Sequence, residues 1–253
     1  MYTFSSKLKT FSFILMLLGV LGIGYGFFSA PKTIQDVETI LAADSHGHHD
    51  AKHDAHATEK HDAKAEAEHQ EHLEHVLHQL QNKPWAAVYV AGLFFMLISL
   101  GALAFYAIQQ VAQAGWSPVL FRVMQGITAY LLPGSIIVFI ILLLSGFHVN
   151  HLFVWMNDGV TEVGHENYDK LIAGKSGYLN FPFWIIRAAI FIAGWNLYRY
   201  LSRKNCLAQD EANDDLYYKK NFKASAGFLV FFIVSESIMS WDWIMSFDPH
   251  WFS

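Results

Sequence analysis

From Pro84 to Phe121 the chain carries no Asp, Glu, Lys or Arg, and after Arg122 none returns until Asp158. A helix packed on the surface of a soluble domain needs a polar face toward water, so uninterrupted runs of this kind belong in a bilayer. The composition agrees. Of 253 residues, 53% are apolar, 16% aromatic and 15% charged, whereas a soluble domain carries roughly a quarter of its residues charged.

A helix needs about 20 residues to cross about 30 Å of hydrocarbon. Apolar runs of that length occupy residues 10–28, 85–111, 123–147, 179–201 and 224–245. The expected fold is all-α, a polytopic transmembrane bundle of five spans with a long His-rich outer loop. Its parts are an N-terminal anchor (1–28), a low-complexity loop with a short amphipathic helix (29–84), and a four-helix transmembrane region ending in an aromatic interfacial segment (85–253). Pro133 and Gly134 predict a kink within the third span. The first run is read as a retained anchor, because its apolar stretch exceeds a usual signal core and Phe28-Ser29-Ala30 is a poor cleavage site.

Lys7, Lys9, Arg122, Arg199, Arg203, Lys204, Lys219, Lys220 and Lys223 all fall at one side of these spans. Cations near span ends resist translocation, so that side is expected to be cytoplasmic, with the N-terminus inside and the His-rich loop periplasmic. The loop over residues 148–178 has only Lys170 and Lys175 against Asp158, Glu162, Glu166 and Asp169, as an outer loop should.

Residues 44–83 hold ten of the fourteen histidines among Ala, Asp, Glu and Lys. Leu73, Val76, Leu77 and Leu80 put an apolar stripe on a helix there. His72 and His75, one turn apart, are weak metal-ligand candidates; a solvated tether explains the segment with less. The single cysteine, Cys206, excludes disulfide frameworks and sites needing two thiols from this chain. The net charge of −5 combines an acidic loop with basic edges, and nucleic acid is not an expected partner.

Charge inside hydrocarbon costs a few kcal/mol and marks a candidate site. Arg187 lies about 12 Å from the outer end of span four and Glu236 about 13 Å from that of span five, so the two are expected to pair. Ser235, Ser237 and Ser240 surround that carboxylate. His148 and His151, three apart, are expected on one helical face that Trp155 continues, as hydrogen-bonding or proton-exit groups. Two histidines on one helix cannot take opposite axial positions on one haem iron. The chain closes on an aromatic string from Ser240 to Ser253, in which Asp242, Asp248 and His250 exceed what an interfacial belt requires.

That string, with Ser235-Glu236-Ser237 before it, resembles the membrane subunits of bacterial alternative complex III, a quinol:cytochrome c oxidoreductase whose large membrane subunits look like the NrfD or polysulfide-reductase anchor family. The long outer insertion after span one is similar to that of the second quinone-binding-type subunit. The resemblance implies a bacterial inner-membrane location and a chain matching the first half of a longer, two-bundle protein. It implies quinol or quinone as substrate, and as partners a sister membrane subunit, an iron-sulfur protein and cytochrome c-type haem subunits, with clusters and haems held by those partners. Glu236, Arg187, His148, His151, Asp242, Asp248 and His250 are then proton-transfer or quinone-site candidates in a subunit that is not an enzyme by itself. Two other functions stay open. A divalent-metal (zinc) transporter would use the histidines, but it predicts paired intramembrane ligands, and Glu236 and Asp242 stand about 240° apart around a helix. A purely structural membrane anchor would need no site.

Overall fold

The computed structural model describes residues 5–45 and 62–250. Among them the chain is helical, with no strand: α1 (Ser6–Ser29), α2 (Ile34–Ser45), α3 (Asp62–Val111), α4 (Phe121–Ile127), α5 (Leu131–Gly146), α6 (Lys170–Lys175), α7 (Phe181–Glu211) and α8 (Leu216–Trp243). Five stretches are long and apolar enough to cross a membrane, namely Ser6–Ser29, His72–Val111, Ser117–Gly146, Phe181–Glu211 and Leu216–Phe247. The expected all-α membrane bundle is therefore observed. Two compact units divide after Val88, inside α3.

In the first unit, α1 is apolar on every face and buries none of its residues. Such a helix is made for lipid or for other membrane helices. Ser5 caps it by accepting from the Leu8 N–H. Next comes a reciprocal cap on α2. Thr33 Oγ1 accepts from the Asp36 N–H, and Asp36 Oδ2 accepts from the Lys32 and Thr33 N–H groups at 3.0 Å each. These bonds hold the Asp36 carboxyl below its ordinary range. Gln81 donates to the Pro31 carbonyl, and Phe27 meets Trp85 edge to face at 4.7 Å. The stripe expected in the outer loop lies on α3, with Leu73 buried and Val76, Leu77 and Leu80 half-buried. It is not a separate helix: α3 runs without interruption through Pro84 into the second span.

In the second unit, α7 and α8 form the most intimate pair. Trp195 Nε1 donates to Ser235 Oγ at 2.9 Å, Tyr198 and Ser225 share a hydrogen bond of 2.7 Å, and the Tyr198 ring stacks on Phe228. The tryptophans Trp184, Trp195 and Trp243 are fully buried with Tyr89, Met96 and Leu142. Outward faces carry Phe94, Ile98, Ile136, Ile140, Ile186, Ile190, Val230 and Ile233. In water such a surface would aggregate; against acyl chains it is what a span requires.

The sequence predicts a kink at Pro133, but the irregularity in this span falls earlier in the chain. A 3₁₀ turn at Thr128–Tyr130 separates α4 from α5, and Pro133 sits in the first turn of α5, where its missing N–H is not needed. The turn draws the Leu131 N–H to the Thr128 carbonyl, and Ser99 Oγ on α3 donates to the Ile127 carbonyl at 3.2 Å. Gly134 permits this crossing, since a Cβ there would lie 2.7 Å from the Tyr130 ring and 3.2 Å from Met96 Cβ. Gly134→Val is expected to destabilise the bundle by about 1–3 kcal/mol through overpacking, read as a lowered midpoint of thermal unfolding in detergent. Gly101→Val, with open space around it, is the control.

Candidate functional site

At the end of the second unit where α7 starts and α8 stops, one ion pair is enclosed. Asn180 caps α7 by accepting from the Phe183 N–H, and Pro182 follows within the first turn. Six residues into α7, Arg187 is 7% exposed, and Asp242, one residue before the end of α8, is 0% exposed. Arg187 Nε donates to Asp242 Oδ2 at 2.7 Å and Nη2 to Asp242 Oδ1 at 2.8 Å, a two-pronged geometry that only a guanidinium offers a carboxylate. Both terminal nitrogens also lie 3.4 Å from the Tyr178 carbonyl. The cation sits 4.1 Å from the Tyr178 ring centre and 4.2 Å from that of Phe183.

Glu236 is therefore not the partner of Arg187. The expectation compared Cα depths, but a helical side chain leans toward its own N-terminus. For α7 that is this end of the bundle, so the long Arg187 side chain reaches beyond the level of Glu236 to Asp242, about 9 Å nearer the end. Rotation matters as well. Ser235, Met239 and Asp242 recur on the buried face of α8, whereas Glu236 is half-buried beside it and accepts from Ser240 Oγ at 3.4 Å. Ser237 returns its hydroxyl to the Ile233 carbonyl and Ser235 is engaged by Trp195, so neither is directed at Glu236.

The surroundings of Asp242 are rich in indole and phenol. Trp184 Nε1 and Ser246 Oγ donate to the Asp242 main-chain carbonyl, and Tyr89 OH to that of Trp243. Phe153, Trp155 and Phe247 complete the cluster, Phe153 stacked on Phe247 at 4.6 Å. Burial pushes the Tyr178 phenol up to about 12; the adjacent Asp242 carboxylate adds to the rise and Arg187 opposes it. Tyr178 and Ser246 also line a cavity of about 430 Å³, with Leu179, Trp241, Met245 and Lys175. The ion pair thus lies one residue behind an opening of ligand size.

Outside this opening, His250 Nε2 lies 2.5 Å from Asp169 Oδ2, and Asp248 lies 3.6 Å from the other ring nitrogen. Asp169 caps α6 through the Leu171 and Ile172 N–H groups. The Ile172 and Leu171 N–H groups, joined by His250, hold the Asp169 carboxyl below its ordinary value of 3.8. A depressed carboxyl contributes stability above its unfolded pKa and loses it as pH falls through the folded one. Asp169→Asn is expected to lower thermal stability at neutral pH and to flatten its further loss below about pH 4, where the parent carboxyl is itself protonated; an unaltered acid limb would show that the cap is not pH-linked.

His148 and His151 do not share a helical face. The α5 helix ends at Gly146, and His148 stands at φ 56°, the left-handed residue of a closing turn in which the His148 N–H meets the Ser145 carbonyl and the Val149 N–H the Leu144 carbonyl. His151 follows in non-helical chain, exposed, and Trp155 is buried in a 3₁₀ turn at Val154–Met156. Asn150, which the sequence did not single out, is buried between them and accepts from Ser145 Oγ at 2.7 Å. A non-glycine residue in the left-handed region leaves no pattern to read in advance.

His72 and His75 are exposed on α3, His75 Nδ1 near Gln79 Nε2. Among the described residues no group of three or more His, Cys, Asp and Glu side chains is placed to hold a metal ion. Residues 46–61, with six of the loop histidines, lie outside the described residues. No model of a known protein family matches the chain, and no curated protein matches it.

Proposed function

We propose that the chain is an integral membrane subunit of a respiratory quinol:cytochrome c oxidoreductase, contributing to quinol binding and proton transfer at its outer end and to assembly. The observation that carries this is the Arg187–Asp242 pair, buried yet adjoined through Tyr178 and Ser246 by a cavity at the ends of the two spans. A structural clasp alone needs no such opening.

Quinol oxidation releases two electrons and two protons. The electrons pass to iron-sulfur and haem groups in partner subunits, and this chain handles the headgroup and the protons. Trp241 and Met245 offer the ring an apolar wall, and Tyr178 and Ser246 offer hydroxyls at the end nearest Asp242. Arg187 neutralises the Asp242 carboxylate, so a proton moving toward it meets a fixed and compensated charge. Asp248, His250 and Asp169 lie on the exposed side of the same end and supply an exit to water. The basic edge formed by Arg122, Arg199, Arg203, Lys204, Lys219, Lys220 and Lys223 supports an orientation with the site on the periplasmic side of a bacterial inner membrane.

Trp241 is half exposed, so Trp241→Ala is expected to leave folding intact. In the purified assembly it should raise the KM for quinol roughly tenfold, as loss of one well-packed ring contact does. Ser246→Ala should lower kcat more than KM. Unchanged kinetics in both variants would reject the site and leave a structural anchor, and copurification of zinc without haem or iron-sulfur partners would favour metal transport.

A further inference from the structure

The cavity beside Asp242 has two walls that come from separate parts of the chain. Lys175, Tyr178 and Leu179 belong to α6 and the turn after it, whereas Met245, Ser246 and Pro249 belong to the segment that follows α8. Two polar ties join these walls. Lys175 Nζ donates to the Pro249 carbonyl at 2.5 Å, and one residue further on His250 Nε2 meets Asp169 Oδ2 at 2.5 Å. Since Lys175 and Pro249 both line the cavity, their contact forms part of its rim.

The two sides of this rim are anchored differently. Asp169 caps α6 through the Leu171 and Ile172 N–H groups, and Ile172, 2% exposed, roots the helix in the core. On the other side Asp248 leaves the 3₁₀ turn at Met245–Phe247 in extended conformation (φ −124°, ψ 93°), and both Asp248 and His250 are exposed around the buried Pro249. This segment reaches α6 through a carbonyl and an imidazole. An imidazole changes charge between about pH 5 and 8. Two carboxylates are placed against this one, Asp169 on Nε2 and Asp248 3.6 Å from Nδ1, and Lys175 is the cation on the neighbouring carbonyl. The Asp169 carboxyl, held below its ordinary value, stays ionised across that range. A proton on His250 therefore adds ionic attraction to the tie, and its loss leaves a neutral hydrogen bond.

We propose that residues 248–250 form a strap over this cavity, latched to α6 through Lys175 and His250, and that the latch tightens when His250 takes a proton. The side chains of His250 and Asp169 are 46% and 28% exposed, so the gain is modest, roughly threefold in the ratio of closed to open strap. Its place in turnover rests on the quinol site proposed above: protons leaving past His250 would hold the strap shut, and it would ease as they pass to water. The latch itself needs only the two ties.

The test is the labelling rate of a cysteine inside the cavity, Ser246→Cys with Cys206→Ser in the full chain in detergent, by a small uncharged thiol reagent. Ser246 is 4% exposed, so its labelling reads opening. Dividing at each pH by the rate at Val163→Cys, 86% exposed in the loop before α6, removes the ordinary pH dependence of thiol reactivity. The ratio should rise roughly threefold between about pH 5.5 and about pH 8. His250→Gln, which can keep a hydrogen bond but carries no charge, should hold the ratio at its high value throughout, and Lys175→Met should raise it at both ends while preserving the rise. Met245→Cys, half-buried on the same wall, replaces Ser246→Cys if that variant unfolds. A ratio that stays flat with His250 present, or a rise that survives His250→Gln, would overturn the latch. The labelling needs no quinol, so failure of the proposed quinol site would leave its result standing.

Discussion

Asp242→Leu is expected to destabilise the bundle by about 3–5 kcal/mol, because it strands the Arg187 guanidinium between the Tyr178 and Phe183 rings with only the distant Tyr178 carbonyl to receive its hydrogens. The double substitution Arg187→Met with Asp242→Leu removes both charges and should restore much of the loss, since an apolar pair of similar volume avoids the desolvation of two ions. Tryptophan fluorescence during thermal unfolding in detergent measures both. Glu236→Gln is the internal comparison and should shift the midpoint little, because Glu236 is half-buried and holds only the Ser240 hydroxyl. If the Asp242 single variant were as stable as the parent, the pair would not be a closed structural element. If the double variant were stable and still supported quinol oxidation, the pair would be structural and the proposed proton role would fall.

The second large effect concerns two tryptophans two residues apart. Trp243→Ala is expected to cost about 3–5 kcal/mol, whereas Trp241→Ala should cost less than about 1 kcal/mol. Trp243 is 0% exposed, meets Trp195 edge to face at 6.0 Å, and fixes the end of α8 through the bond from Tyr89 OH to its carbonyl. Trp241 is 53% exposed. An interfacial belt would treat the two alike, and equal losses would show that the terminal string is a headgroup anchor and not part of the core.

The number and rough position of the spans were legible because lipid imposes a one-dimensional rule: about 20 residues without charge, and caps or breaks at the ends. The run at 85–111 ends where α3 ends, at Val111, and the run at 179–201 starts two residues before α7. Joining of the loop stripe to the second span through Pro84 was not legible, because proline weakens a helix by an amount that neighbouring packing can override. The meeting of His250 with Asp169 carries no signal in sequence at all. Residues 81 positions apart are unrelated until the fold sets the cap of α6 against the segment that follows α8.

The sequence by itself determined the solvent of this chain, its helical class, its basic end and the presence of ionised groups within it, because charge and hydropathy are summed along the backbone. Only the tertiary structure decided which ions meet. Partner choice depends on helix rotation and on the lean of a long side chain toward its own N-terminus, and these set Asp242, in phase with Ser235 and Met239, against Arg187 while Glu236 turns aside.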